Sequence, residues 1–146
     1  MARTSTYLNF MGRTEEAFEF YASVFGTKPA APIARMGDVP PGPGMPELTE
    51  KEKRYVMHVA LPILGGHVLM GTDALESMGH SLTFGNNISL NLEPDTRKET
   101  EQLFARLSEG GKVEMPLQDM FWGDYFGHLT DKFGVKWMFN CTEKKK

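Results

Sequence analysis

Ser5–Gly26, STYLNFMGRTEEAFEFYASVFG, returns at Asn87–Gly110 as NISLNLEPDTRKETEQLFARLSEG. Leu8 and Phe10 match Leu90 and Leu92, and Asn9 matches Asn91. Each copy opens on alternating apolar and polar residues, the pattern of a half-buried strand. In the second copy the alternation separates Ile88, Leu90 and Leu92 from Asn87, Ser89 and Asn91. A helical pattern follows. In the first copy Thr14 reads as the N-cap, Glu15 and Glu16 suit the positive helix end, and Ala17, Phe18, Tyr21, Val24 and Phe25 form the buried stripe before Gly26. In the second, Thr96 and Glu99 make a capping box and Thr100, Leu103, Phe104 and Leu107 the stripe, with Gly110 and Gly111 ending the helix.

Strand-like sequence follows each helix: Ile33–Met36, Arg54–Leu64 and His67–Thr72 in the first half, and Lys112–Asp119, Tyr125–Asp131 and Val135–Asn140 in the second. Gly66–Met70 is echoed by Gly134–Met138, with the glycines placed for hairpin turns. The repeat therefore predicts two βαβββ modules, at about residues 1–78 and 79–146, in one α+β domain of ordinary size. A module of about seventy residues has too little core to stand alone. Between them the Pro- and Gly-rich Gly37–Pro46 and the charged Glu47–Arg54 predict a long loop: a lid, an arm to a second subunit, or a mobile segment.

Composition narrows the function. A net charge of −3 with mixed signs gives no nucleic-acid footprint, and Lys144–Lys146 reads as a solvated tail. Ala2–Ser5 lead straight into a strand and no apolar run reaches the roughly 20 residues of a membrane span, so neither a signal peptide nor a membrane contact is expected. The single cysteine, Cys141, fits a reducing compartment and makes the cytoplasm the expected location.

Three stretches carry a resemblance: Tyr7–Gly26, Gly65–Asp73 (GGHVLMGTD) and Met120–Asn140 (MFWGDYFGHLTDKFGVKWMFN), the last with the most specific motif, Trp122–Asp124 followed by Asp131, Phe133, Gly134 and Trp137. Together they resemble the vicinal oxygen chelate superfamily of glyoxalases, bleomycin-resistance proteins and dioxygenases, and within it the PhnB-like branch, often labelled a demethylubiquinone methyltransferase. The resemblance implies a curved mixed sheet around a central cavity and a homodimer. It also implies a divalent metal on four inward side chains, from the first and last strand of each module. Here those positions hold Ser5 or Tyr7, Asn87 or Ser89, Met70 and Met138. Hydroxyl, amide and thioether groups are poor ligands for hard divalent cations, so no metal and no cofactor is expected.

The same positions suit a small, partly apolar ligand. Met70 and Met138 supply adaptable walls, Tyr7, Asn9, Asn87 and Ser89 polar contacts, and Trp122 a stacking surface; alternatively, the methionines fill core and the Trp122–Asp124 corner is structural. His58, His67 and His80 are scattered without metal-site spacing. His128 is the candidate general base, with Asp124 and Asp131 as partners, although Asp131 lies on the opposite face of the same strand. Trp137 faces the helix layer. Two functions follow: a metal-free dimeric binding protein, or a metal-dependent lyase, isomerase or dioxygenase of the same superfamily. The glycine-rich turn and acidic residue that a nucleotide-like cofactor needs are not in the sequence.

Overall fold

The structure, a computed structural model, describes residues 1–40 and 42–146. It comprises two compact units, Met1–Thr83 and Phe84–Lys146. In the first, β1 (Thr6–Phe10), α1 (Thr14–Phe25), β2 (Ala34–Arg35), α2 (Glu50–Lys53), β3 (Val56–Pro62) and β4 (Val68–Asp73) build a mixed sheet of order β1-β4-β3-β2. The second has β5 (Leu90–Leu92), α3 (Arg97–Ser108), β6 (Lys112–Asp119), β7 (Tyr125–Thr130) and β8 (Lys136–Cys141), with order β5-β8-β7-β6. In both, the first strand pairs parallel to the last and the remaining pairs are antiparallel. The fold class is the α+β architecture that the repeat predicts.

Each long helix covers one face of its sheet. Ala17, Phe18, Tyr21 and Val24 of α1 are buried with Val59, Leu61 and Leu69, while Leu103, Phe104 and Leu107 of α3 are buried with Leu129, Trp137 and Phe139. Phe104 meets Phe139 edge to face with centroids 5.4 Å apart. Phe25 is only half-buried, since α1 ends there with Gly26 in the left-handed region at φ 65°. Trp137 has the core position expected of it, and Cys141 is fully buried.

The N-terminus of α1 departs from expectation. Arg13, not Thr14, holds the N-cap position and makes no side-chain cap. The acceptor comes instead from β4: Asp73 Oδ1 accepts from the Thr14 backbone N–H at 3.1 Å, the Thr14 hydroxyl at 2.6 Å and the Gly12 N–H at 2.9 Å. α3 is capped locally by Thr96, which accepts from the Glu99 N–H; among the described residues no bond returns from the Glu99 side chain.

β5 is shorter than its sequence pattern. Leu90 pairs with Trp137 and β8 begins at Lys136, so Ser89 meets only the first residue of β8 and Asn87 and Ile88 fall opposite the Asp131–Val135 turn. Asn87 and Ser89 therefore precede the strand, and Ile88 is 76% exposed. β2 likewise shrinks to two residues. The expected loop contains more structure than its composition suggests: Glu50–Lys53 closes a helical turn through a Thr49/Glu52 capping box, and the nearly buried Glu52 side chain accepts from the Ser77 N–H. Pro41 of this loop lies outside the described residues.

Gly71 sets how closely α1 approaches. A Cβ there would lie 2.5 Å from Phe18 Cε1 and 3.1 Å from Thr14 Cγ2. Gly71→Ala is expected to lower stability by about 1–3 kcal/mol through overpacking, read as an earlier urea midpoint at unchanged slope. An unchanged midpoint would show that α1 shifts without cost.

Candidate functional site

Strand alternation leaves the second face of each sheet uncovered by its own helix. In the first unit β4 turns Leu69, Gly71 and Asp73 toward α1 and Met70 and Thr72 away from it. Tyr7 lies opposite Met70, and Asn9 opposite Thr72. Tyr7 is 49% exposed, and its hydroxyl bonds His58 Nδ1 at 3.2 Å from the neighbouring part of the sheet. Ser5 donates to Met70 Sδ at 3.7 Å, and Thr72 to the Met57 carbonyl at 2.8 Å. Tyr7, Asn9 and Met70 are thus brought together, with His58 joining them.

In the second unit Met138 lies between Asn91 of β5 and His128 of β7. His128 packs on Phe126 at 6.2 Å between centroids, Phe126 on Trp122 at 5.9 Å and Trp122 on Phe121 at 5.0 Å, so an aromatic row runs from the sheet to the β6–β7 turn. Trp122 is 47% exposed at that turn. Asp124 accepts from Asn140 Nδ2 at 3.0 Å and lies 3.9 Å from Lys144 Nζ. Asp131 turns to the helix face, where its carboxylate accepts from Phe133, Val135 and Trp137. His128 has no hydrogen-bonded side chain among the described residues. At the rim of this face Glu114 accepts from the Thr130 hydroxyl at 2.6 Å and Lys136 Nζ at 2.9 Å, and these two bonds, in that order, hold its carboxyl below the usual range.

Both methionines are half-buried on the face away from the helix, so neither fills its unit's helix–sheet core. Asn87 and Ser89 are exposed and outside β5. Asn91 stands in their place: it meets Met138 as Tyr7 meets Met70. His58, Asn91, Phe126 and Asn140 complete the two faces and were not singled out by spacing. The repeat did carry a signal for Asn91, because it aligns with Asn9.

The donors do not fit the metal that the fold implies. Ser5, Tyr7 and Met70 offer hydroxyls and a thioether already bonded to Ser5, while Asn87 and Ser89 stand off the sheet that carries Met138. Among the described residues, no group of three or more His, Cys, Asp or Glu is placed to hold a metal ion.

The sequence model of the family described as 3-demethylubiquinone-9 3-methyltransferase matches residues 2–139. Protein YjdN of Escherichia coli K12 is 30% identical, over 97% of this chain and 96% of its own. Protein PA1353 of Pseudomonas aeruginosa has a solved structure with TM-score 0.80 at 35% identity, covering 97% of this chain and 98% of that one. A PhnB protein of Bacillus cereus, titled a putative 3-demethylubiquinone-9 3-methyltransferase, gives 0.74 at 30%, covering 96% and 99%. A glyoxylase/bleomycin resistance protein/dioxygenase domain from Frankia sp. EAN1pec shares the fold at TM-score 0.67 and 9% identity, covering 100% and 95%. The chain belongs to the PhnB-like family described as 3-demethylubiquinone-9 3-methyltransferase, and its fold is the one seen in glyoxalase/bleomycin resistance/dioxygenase proteins.

Proposed function

We propose that the protein is a cytoplasmic, metal-free homodimer that binds a small, partly apolar molecule on its uncovered sheet faces. One observation carries the reading: each face sets a half-buried methionine directly opposite a polar side chain, Tyr7 on Met70 and Asn91 on Met138. Methionine adapts to apolar or aromatic shapes, and a neighbouring phenol or amide orients a polar edge. The location rests on the lone buried cysteine, and no helix among the described residues is long and apolar enough to cross a membrane.

Methyl transfer has little support in the residues. The β1-to-α1 connection has one glycine, Gly12, and the Tyr55 hydroxyl would lie 2.8 Å from a Cβ there, so its approach is already taken. A second reading, a lyase, isomerase or dioxygenase of the superfamily, rests on His128, a half-buried imidazole beside Met138 suited to proton abstraction.

Native mass spectrometry of the purified protein separates the readings. The expected spectrum is a dimer without divalent metal, with or without an organic adduct; a stoichiometric metal would overturn the proposal in favour of the enzyme. The probe 1-anilinonaphthalene-8-sulfonate adds a site test. Met138→Ala is expected to weaken its binding about tenfold, the effect of about 1.4 kcal/mol of lost apolar contact. Equal binding to Met138→Ala and wild type would remove Met138 from the site.

A further inference from the structure

The first unit holds an open-mouthed cavity of about 380 Å³ where β1 and β4 end and the chain turns toward Leu82. Asn9, Met36, Thr72, Leu75, His80 and Ser81 line it. We propose that this cavity is a separate binding site for a small uncharged amide or lactam.

Apart from the committed Asp73 carboxylate, its polar groups are a carboxamide, hydroxyls and an imidazole. The Leu75 N–H donates to His80 Nδ1 at 3.0 Å while the His80 N–H donates to the Leu75 carbonyl at 3.2 Å, so the imidazole is built into the turn. With Nδ1 accepting, the neutral ring carries its proton on Nε2, which remains a donor. The Asn9 carboxamide and Ser81 hydroxyl have no partner among the described residues, whereas Thr72 is committed to the Met57 carbonyl. Asp73 borders the cavity, but its carboxylate is taken by Gly12, Thr14 and Val56.

That inventory selects the ligand. Among the described residues no uncommitted charge lines the cavity, so an ionic ligand would lose its hydration without a counter-charge. Asn9 presents a donor and an acceptor side by side, the complement of another amide. His80 Nε2 adds a donor for the carbonyl, and Met36 and Leu75 supply apolar walls. Asn9 is shared with the open-face reading, but the cavity is defined by the Leu75–Leu82 turn and does not depend on that reading.

The test is an amide-resolved NMR titration with 2-pyridone, a planar neutral lactam, beside N-methyl-2-pyridone and benzoate. The expected result is saturable shifts at Leu75, His80 and Ser81, with weaker binding of the N-methyl compound and of benzoate. Asn9→Ala should weaken 2-pyridone about tenfold by removing two hydrogen bonds, and Ser81→Ala less. Both side chains are exposed, and two independent variants guard against a folding artefact. No saturable shift, equal binding of benzoate, or full binding by Asn9→Ala would overturn the proposal. Shifts centred on Tyr7, His58 and Met70 would overturn it too while leaving the open-face reading standing.

Discussion

Asp73→Ala is expected to remove most of the folding stability of the first unit. The Asp73 carboxylate is buried and accepts four hydrogen bonds: from the backbone N–H groups of Gly12, Thr14 and Val56, and from the Thr14 hydroxyl. It therefore joins the β1–α1 turn to the start of β3 and places negative charge at the N-terminus of α1, where the helix dipole favours it. Alanine leaves three backbone donors without acceptors, each costing about 1–3 kcal/mol when buried. A total near 4 kcal/mol or more is a large share of the roughly 5–15 kcal/mol that holds a domain together. Asp73→Asn is expected to fall between, because its remaining oxygen still serves Gly12 and Thr14 while its amide faces the Val56 N–H. Urea denaturation should rank wild type above Asp73→Asn and Asp73→Ala last. A loss below about 1 kcal/mol for alanine would mean that water or another side chain takes over the donors.

Asp73 also marks the limit of local reading. Ser, Thr, Asp or Asn just before an apolar helical run is a sound signal for an N-cap, and Thr14 satisfies it. Yet the cap of α1 arrives from 59 residues away, and Thr14 spends its hydroxyl as a donor. By contrast α3, capped by its own Thr96, was legible. Local chemistry reveals a cap only when the chain supplies it locally.

The site was legible in its faces but not in its register. Matching the repeats by side-chain likeness sets Leu8 on Leu90. The ladders set Tyr7 opposite Met70 and Asn91 opposite Met138, which makes Leu92 the structural counterpart of Leu8. The two matches differ by two residues, the strand period, so the slip keeps every side chain on its correct face and leaves the hydrophobic pattern intact. Tyr7, Asn9, Met70 and Met138 consequently sit on the faces assigned to them, while Asn87 and Ser89 fall off the end of β5. The pairing of Tyr7 with His58 joins residues 51 apart. Nothing in either segment alone announces it, since it follows from β1 and β3 both flanking β4.

Asp131→Ala should be the most damaging single change in the second unit, and its cause can be isolated. The Asp131 carboxylate accepts from Phe133 N–H at 2.8 Å, Val135 N–H at 3.1 Å and Trp137 Nε1 at 2.8 Å, fixing the β7–β8 turn and the largest fully buried side chain together. Removing it orphans two backbone donors and an indole N–H, for a loss of about 3 kcal/mol or more. Trp137→Phe alone costs some packing but also abolishes the indole donor. If the indole bond carries part of the loss, adding Asp131→Ala to Trp137→Phe should cost about 1–2 kcal/mol less than adding it to wild type. Strict additivity would assign the whole effect to the turn. Far-UV circular dichroism follows urea unfolding in all four members of the cycle, including the two that lack Trp137. The Asp131 carboxylate is engaged by Phe133, Val135 and Trp137 on the helix face, so its work in the β7–β8 turn is architectural, and it stands apart from His128 on the opposite face.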